Sequence, residues 1–303
     1  MYRRWLAFRP APAVALGETG GRRFGRVLLA YLRLPHAAPV LVVLATTAGF
    51  ALLAVGGVPP AGELARLLLA MLGGQLAIGA MNEVVDAPLD AVAKPSKPIP
   101  RGDVSVRAAL LLALVSLGVM VVFSAGFGWR SLLLCSLGTG TGLAYDLWFK
   151  RSMLSWLPYL IALPLLPLWV WTALDRFDPR LLLLYPLGAP AVIGVHLSQA
   201  LPDTVTDRAV GVRNLASALG ERRAIVACWL ATLSAPLFAT IGAVYLVDRP
   251  GIVWLAAAAV ATLVVVNAAL YVVRRRLGVM ACFPCVAVAT ALMGLGWVLG
   301  IKG

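Results

Sequence analysis

Residues 104–125 read Val-Ser-Val-Arg-Ala-Ala-Leu-Leu-Leu-Ala-Leu-Val-Ser-Leu-Gly-Val-Met-Val-Val-Phe-Ser-Ala, and the one charged side chain among them is Arg107. Wound as a helix, about 20 apolar residues match the thickness of a bilayer's hydrocarbon core. A helix is also the form in which such a segment satisfies its own backbone groups where no water is available. The pattern recurs along the chain, near 35–56, 63–81, 130–146, 154–174, 181–201, 223–247, 251–273 and 278–300. The 130–146 run is the shortest and is rich in glycine (Gly138, Gly140, Gly142). Composition agrees: 61% of residues are hydrophobic and 13% charged, where a soluble domain carries about 25% charged residues. The fold class expected is therefore all-α, a polytopic membrane protein of nine transmembrane helices. Short connections leave no room for a separate soluble domain within 28–303. Residues 1–27 differ, being rich in Arg and Gly, interrupted by Pro10 and Pro12, and lacking the apolar core of a signal peptide. They are expected to form a poorly ordered cytoplasmic tail.

Basic residues give the orientation. With the N-terminus on the cytoplasmic side, twenty of the 26 Lys and Arg fall in the tail and in the loops after spans two, four, six and eight. The six others (Arg66, Arg130, Arg176, Arg180, Arg249, Lys302) belong to the opposite face. This is the asymmetry of the positive-inside rule, and it favours an odd number of spans. The expected location is the cell (plasma) membrane, with the loops near 82–103 and 201–222 cytoplasmic. The net charge of +13 then reads as topology and attraction to lipid headgroups. No basic and aromatic motif for RNA or DNA is present, so no nucleic-acid partner is expected. Cys282 and Cys285 form a lone CxxC, which lacks the second pair of a structural zinc site and is read as packing.

Two acidic segments carry the chemistry. The first runs Met81-Asn82-Glu83-Val84-Val85-Asp86-Ala87-Pro88-Leu89-Asp90 and continues to Lys94-Pro95-Ser96-Lys97-Pro98-Ile99-Pro100-Arg101-Gly102. Asn82, Asp86 and Asp90 recur at every fourth residue, which on a helix makes one stripe of oxygen ligands for a hard divalent cation. Pro88 is expected to bend or end that helix, leaving Asp90 to the turn. The second segment, Leu201-Pro202-Asp203-Thr204-Val205-Thr206-Asp207-Arg208-Ala209-Val210-Gly211, repeats the spacing with Asp203 and Asp207. Pro202 suits the first turn of a new short helix.

A solvated loop face also carries acids. Here, however, four of the chain's 13 acidic residues form two pairs. Both lie on the face assigned by charge to the cytoplasm, and both abut spans, where an unpaired Asp costs roughly 2.5–3.5 kcal/mol at the helix centre. Convergent carboxylates also repel, by about 4 kcal/mol per close pair at 4 Å and an effective dielectric near 20. Mg²⁺ bridging them to a diphosphate removes both problems. Lys94, Lys97, Lys150 and Arg151 are then candidate holders of phosphate oxygens.

These residues resemble the UbiA family of intramembrane aromatic prenyltransferases, over roughly 28–302. The likeness rests on Asn82-x3-Asp86-x3-Asp90, on the Lys-Pro-x-Lys-Pro-Ile-Pro-Arg-Gly tail, on Tyr145-Asp146-Leu147-Trp148-Phe149-Lys150-Arg151, and on Asp203-x3-Asp207-x3-Gly211. It implies two four-helix repeats around a central cavity with a ninth helix alongside, and an apolar tunnel for a prenyl tail. It implies that Asn82, Asp86, Asp90, Asp203 and Asp207 hold Mg²⁺ and diphosphate. Lys94, Lys97, Tyr145, Lys150 and Arg151 would line the same pocket, with Tyr145 and Trp148 able to face an allylic cation. The partners implied are a prenyl diphosphate, a lipophilic acceptor and membrane lipids.

Three positions depart from the family's pattern: Glu83 follows Asn82, Lys97-Pro98 stands for Arg-Pro, and Leu34-Pro35-His36 stands where members often have an Arg-Pro. The last speaks against a carboxylated aromatic acceptor. His196, inside the sixth span, is a candidate substrate contact. A terpene cyclase or lipid-modifying transferase of the same family would share every metal residue. A transporter would instead need coupled charges at mid-span.

The orientation is testable. In a background without the four native cysteines, an impermeant maleimide added to intact cells should label Gly303→Cys and spare Ser96→Cys. Labelling of Ser96→Cys alone overturns the topology.

Overall fold

The structure is a computed structural model that describes Ala30, Leu34, residues 37–204, Arg208 and residues 213–301. The 1–27 tail, His36 and Asp207 lie outside the described residues. The described residues are helical, without a strand. The α-helices are α1 (Ala37–Val55), α2 (Ala61–Ala93), α3 (Val106–Ala125), α4 (Trp129–Ala144), α5 (Leu157–Ala173), α6 (Leu184–Ala200), α7 (Leu215–Leu219), α8 (Glu221–Leu246), α9 (Pro250–Val273) and α10 (Arg275–Ile301). All but α7 fall on the nine expected runs. Six helical stretches among the described residues are long and apolar enough to cross a membrane, and α1 and α5 are shorter apolar helices. Leu41, Leu114, Val122, Leu230, Leu255 and Val272 stand exposed on them, as suits a lipid-facing surface. The chain is thus a multi-pass membrane protein.

The chain divides into two compact units. One holds the residues up to Leu147 together with Leu166–Phe177; the other holds Trp148–Leu165 and the residues from Asp178 onward. In the first unit α2 packs most extensively on α3, and Gly73 makes the approach possible. A Cβ there would come within 2.6 Å of the backbone of Met120 and Ser116. Small residues at such crossings are how membrane helices gain contact when lipid is as apolar as leucine. Buried polar groups of α3, α4 and α5 pair with one another: Trp169 Nε1 donates to Ser131 Oγ at 2.9 Å, and Ser131 lies 3.3 Å from Ser124 Oγ. The second unit has a core of Leu197, Leu201, Ala216, Ile225, Cys228, Cys282 and Val286. There Gly194 lets α6 approach Thr232 of α8. Asn267 ties α9 to its neighbours, accepting from Trp229 Nε1 at 2.9 Å and donating to the Gly278 carbonyl at 3.1 Å. The CxxC cysteines are free thiols on α10, Cys282 being fully buried.

Two boundaries differ from expectation, while the short turn that Pro202 opens agrees with it. Helix α2 does not end near Pro88 but runs 33 residues, with that proline inside it. Tertiary packing outweighs the lost hydrogen bond. Val84 and Ala87, on the turn the proline disturbs, are buried in a cluster with Leu34, Ile99, Val104 and Ala109. Helix α4 ends at Ala144 and the chain continues as a π-helical turn, Tyr145–Phe149. Leu201–Asp203 is a 3₁₀ turn that follows directly on α6, with Pro202 in its opening positions.

The loop after α2 is built on its own hydrogen bonds. Lys94 N–H donates to the Asp90 carbonyl at 2.7 Å, Lys97 N–H to the Lys94 carbonyl at 3.0 Å, and Arg101 N–H to the Lys97 carbonyl at 3.0 Å. Gly102 takes a φ of +80°, the left-handed region glycine tolerates. Ser105 caps α3 by accepting from the Ala108 N–H at 3.1 Å. The loop is fastened to α2 by Lys97, whose Nζ lies 2.6 Å from Glu83 Oε1 and 2.8 Å from Asp90 Oδ2. Burial opposes the charge of Lys97, but hydrogen bonds to Asp90 and Glu83 outweigh it and raise its pKa above the usual 10.5. Since the folded value exceeds the unfolded one, this contribution is complete below the ordinary lysine range and is lost as pH rises through the raised value.

Lys97→Met should therefore destabilise the fold by about 3 kcal/mol, because two carboxylates then face each other without the cation between them. The thermal midpoint of the detergent-purified protein should drop by several degrees. Adding Glu83→Gln should restore part of it. An unchanged midpoint for Lys97→Met would mean the clamp contributes nothing to stability.

Candidate active site

The continuous course of α2 decides the geometry of the first acidic segment. Because the helix runs through to Ala93, Asn82, Asp86 and Asp90 occupy successive turns of one face, about 6 Å of rise apart. Their surroundings differ. Asp86 is half-buried, while Asp90 is buried and bound to Lys97 through Oδ2. Asn82 donates through Nδ2 to Asp146 Oδ1 at 2.7 Å. Glu83, only 2% exposed, meets Lys97. The Lys97 ammonium, expected as a phosphate contact, is thus committed to two carboxylates. Lys94, four residues after Asp90, is exposed.

Asp146 belongs to the Tyr145–Arg151 segment but is not among the site residues expected from the sequence. It is 4% exposed and sits in the π turn that follows α4, next to Tyr145. π turns are rare and are concentrated at functional sites. A buried acid adjoining a span is a costly choice, and that was the signal available in the sequence. Tyr145 opens the same turn and is half-buried. Farther along, Trp148 is 62% exposed, so core packing does not account for it. Lys150 is half-buried and Arg151 exposed.

In the second unit, Asp203 is exposed at the end of the 3₁₀ turn that prolongs α6. Arg208 donates to the carbonyls of Ser217 and, at 3.1 Å, of Ala218 at the end of α7. Asn214 and Ser217 form a reciprocal capping box at the start of α7. Gly220, at φ +78°, turns the chain into α8 beside the Arg208 guanidinium. Seven residues before Asp203, His196 is buried. Its Nε2 lies 2.9 Å from Ser155 Oγ, and its ring is 5.2 Å from that of Tyr159, whose hydroxyl donates to Gln199.

Among the described residues no three His, Cys, Asp or Glu side chains converge into a ready-made metal cage. The donors on the α2 stripe are nonetheless all hard oxygens. Mg²⁺ characteristically takes one or two carboxylates and completes its shell with water and substrate phosphates. The donor chemistry therefore suits that ion, and it suits zinc or copper poorly.

Known proteins supply the comparison. The profile of the UbiA prenyltransferase family matches residues 42–284. A digeranylgeranylglyceryl phosphate synthase of Natronomonas pharaonis is 29% identical over 217 residues, covering 67% of this chain and 76% of the relative. A protoheme IX farnesyltransferase of Salinispora tropica is 35% identical over 146 residues, 45% of this chain and 44% of that one. Among solved structures, a UbiA homologue from Archaeoglobus fulgidus bound to GPP and Mg²⁺ matches with a TM-score of 0.65 at 16% identity, covering 89% of this chain and 99% of the other. The apo form of a homologue from Aeropyrum pernix K1 gives 0.66 at 20% identity, covering 88% and 98%. At these identities the structural likeness speaks for the fold. The profile spans most of the 303 residues, and on that ground the chain belongs to the UbiA prenyltransferase family.

Proposed function

We propose that this protein transfers a prenyl group from an allylic prenyl diphosphate to a lipophilic acceptor, with Mg²⁺ held by Asn82, Asp86, Asp90, Asp203 and Asp207. The observation that carries the reading is the stripe of Asn82, Asp86 and Asp90 along one face of α2, in a chain of this family. The solved homologue bound to GPP and Mg²⁺ supports the choice of metal and donor. Bound Mg²⁺ supplies charge neutralisation that lets the diphosphate leave.

The remaining work falls to the chain. Lys94, Lys150 and Arg151 hold phosphate oxygens and stabilise the charge that develops on the leaving group. Lys97 acts one step back, keeping Asp90 in place and offsetting part of the negative charge that the site accumulates. Tyr145 presents a ring face to positive charge at the allylic carbon. The apolar helices shield that carbon from water, so the acceptor nucleophile captures it instead. His196 is a candidate contact for the acceptor.

For the acceptor we favour a lipid alcohol. The relative from Natronomonas carries the name of a glyceryl phosphate with two geranylgeranyl groups, and the segment Leu34-Pro35-His36 lacks the Arg expected to meet an aromatic carboxylate. We place the active-site loops on the cytoplasmic side, following the distribution of Lys and Arg.

Purified protein in lipid, given labelled prenyl diphosphates and either a lipid alcohol or a carboxylated aromatic, should yield product with the first when analysed by mass spectrometry. Diphosphate release should stop in EDTA and return with Mg²⁺ or Mn²⁺. Asp86→Asn and Asp203→Asn should each lower turnover by about 100-fold or more while leaving the thermal midpoint near the parent's. Because ligands of one site act as a unit, the double variant should be little worse than either single. Near-normal turnover by folded Asp203→Asn would remove the second segment from the site. Full activity in chelator would remove the metal.

A further inference from the structure

We propose that Asp146 is a positioning residue, which fixes the side-chain amide of Asn82 so that its carbonyl oxygen, and not its NH₂, is offered to the metal. The inference rests on Asn82 being a metal ligand, as argued above.

Asp146 is 4% exposed and its Oδ1 accepts from Asn82 Nδ2 at 2.7 Å. An asparagine amide has two faces of opposite character, a pair of N–H donors and a carbonyl acceptor. Left free to turn, it presents either one, and the donor face repels a cation. Asp146 Oδ1 accepts here, and an acceptor at that position favours the orientation in which NH₂ points at Asp146. The carbonyl oxygen is thereby turned away from Asp146. The same bond draws electron density through the amide towards oxygen, which makes that oxygen a better ligand for a hard cation. Partners of this kind, one bond removed from the ion, typically change metal affinity by about 10- to 100-fold when removed.

The local backbone shows why this residue is available. Helix α4 gives way at Ala144 to the π turn Tyr145–Phe149, and Asp146 is the buried residue within it. The carboxylate adjacent in sequence to Asn82 is Glu83, and it is engaged by Lys97 at 2.6 Å. Asp146 is thus the carboxylate that meets the Asn82 amide, and Glu83 is committed to the loop. No redox or covalent step is involved.

The test measures metal binding directly, using Mn²⁺ with inorganic pyrophosphate and electron paramagnetic resonance on the detergent-purified full chain. Asp146→Leu removes the acceptor and should weaken Mn²⁺ binding about 10-fold or more. Asp146→Asn keeps an oxygen that can accept from Asn82 and should lose much less. In an Asn82→Ala background, Asp146→Leu should cause no further loss, because there is no amide left to orient. The proposal is overturned by parent-like affinity in Asp146→Leu, or by an equal additional loss in the Asn82→Ala background. It is also overturned if Asp146→Asn is as damaging as Asp146→Leu, since charge and not orientation would then be the cause. If Asp146→Leu does not fold, Asp146→Ala in the same cycle reads the same coupling. Failure of the parent protein to bind Mn²⁺ is a separate outcome that overturns the metal reading itself, and the positioning role with it.

Discussion

Inside a bilayer, each backbone amide must find its partner within the protein, and this requirement governs the architecture described above. It makes every span a helix and confines irregular chain to the ends. The polar groups that chemistry needs are then limited to helix termini and the loops between them, or to internal positions where a partner is close by. Both solutions occur here. Asp90 and Glu83 meet Lys97 at the end of α2, Asp146 meets Asn82, and His196 meets Ser155. Each buried polar group named is coupled to another side chain of its own unit. Deleting one of them therefore disturbs a pair rather than a single residue.

Lys97 illustrates how charge balance and shape are joined. A loop that carries three prolines and a glycine between Lys94 and Gly102 is stiff in the unfolded chain and loses comparatively little entropy on ordering. One half-buried ammonium then fixes it to two carboxylates that stand two turns apart on α2. An Arg at this position would offer a broader fork of donors. A lysine is a compact point charge, and it fits between Glu83 Oε1 and Asp90 Oδ2.

Much of the fold was legible in the sequence because the length and hydropathy of a span are local properties. The expected runs coincide with α1–α6 and α8–α10 to within a few residues, apart from α2. There the expectation that Pro88 bends or ends the helix relied on a local rule, and the helix does not end there, Val84 and Ala87 being buried in the adjoining cluster. The acidic stripe was legible from its spacing of four, since that spacing matches the helical repeat. The partnerships were not. Nothing in the order of residues tells that Lys97 would settle on Glu83 and Asp90, or that Asp146 would reach Asn82 from 64 positions away. Such contacts depend on how helices cross, which is fixed by close approaches such as that of Gly73 to α3. The π turn was likewise invisible, because Tyr145–Phe149 has no composition that distinguishes a wide turn from an ordinary one.

The length of α2 has a consequence for how substrate reaches the protein. At 33 residues it extends about 50 Å, against a hydrocarbon core of about 30 Å. Asn82 lies about 32 Å along the axis from Ala61, so the oxygen-bearing face begins roughly one hydrocarbon thickness from the start of the helix. With Ala61 at one edge of the hydrocarbon core, the function proposed above would put that face at the depth where an amphiphile with an anionic head and an isoprenoid tail comes to rest on its own. Such a molecule need not be lifted from lipid or carried through water. On that reading encounter would be lateral diffusion in a plane, and occupancy would follow the amphiphile's mole fraction in the membrane, not its concentration in bulk solution.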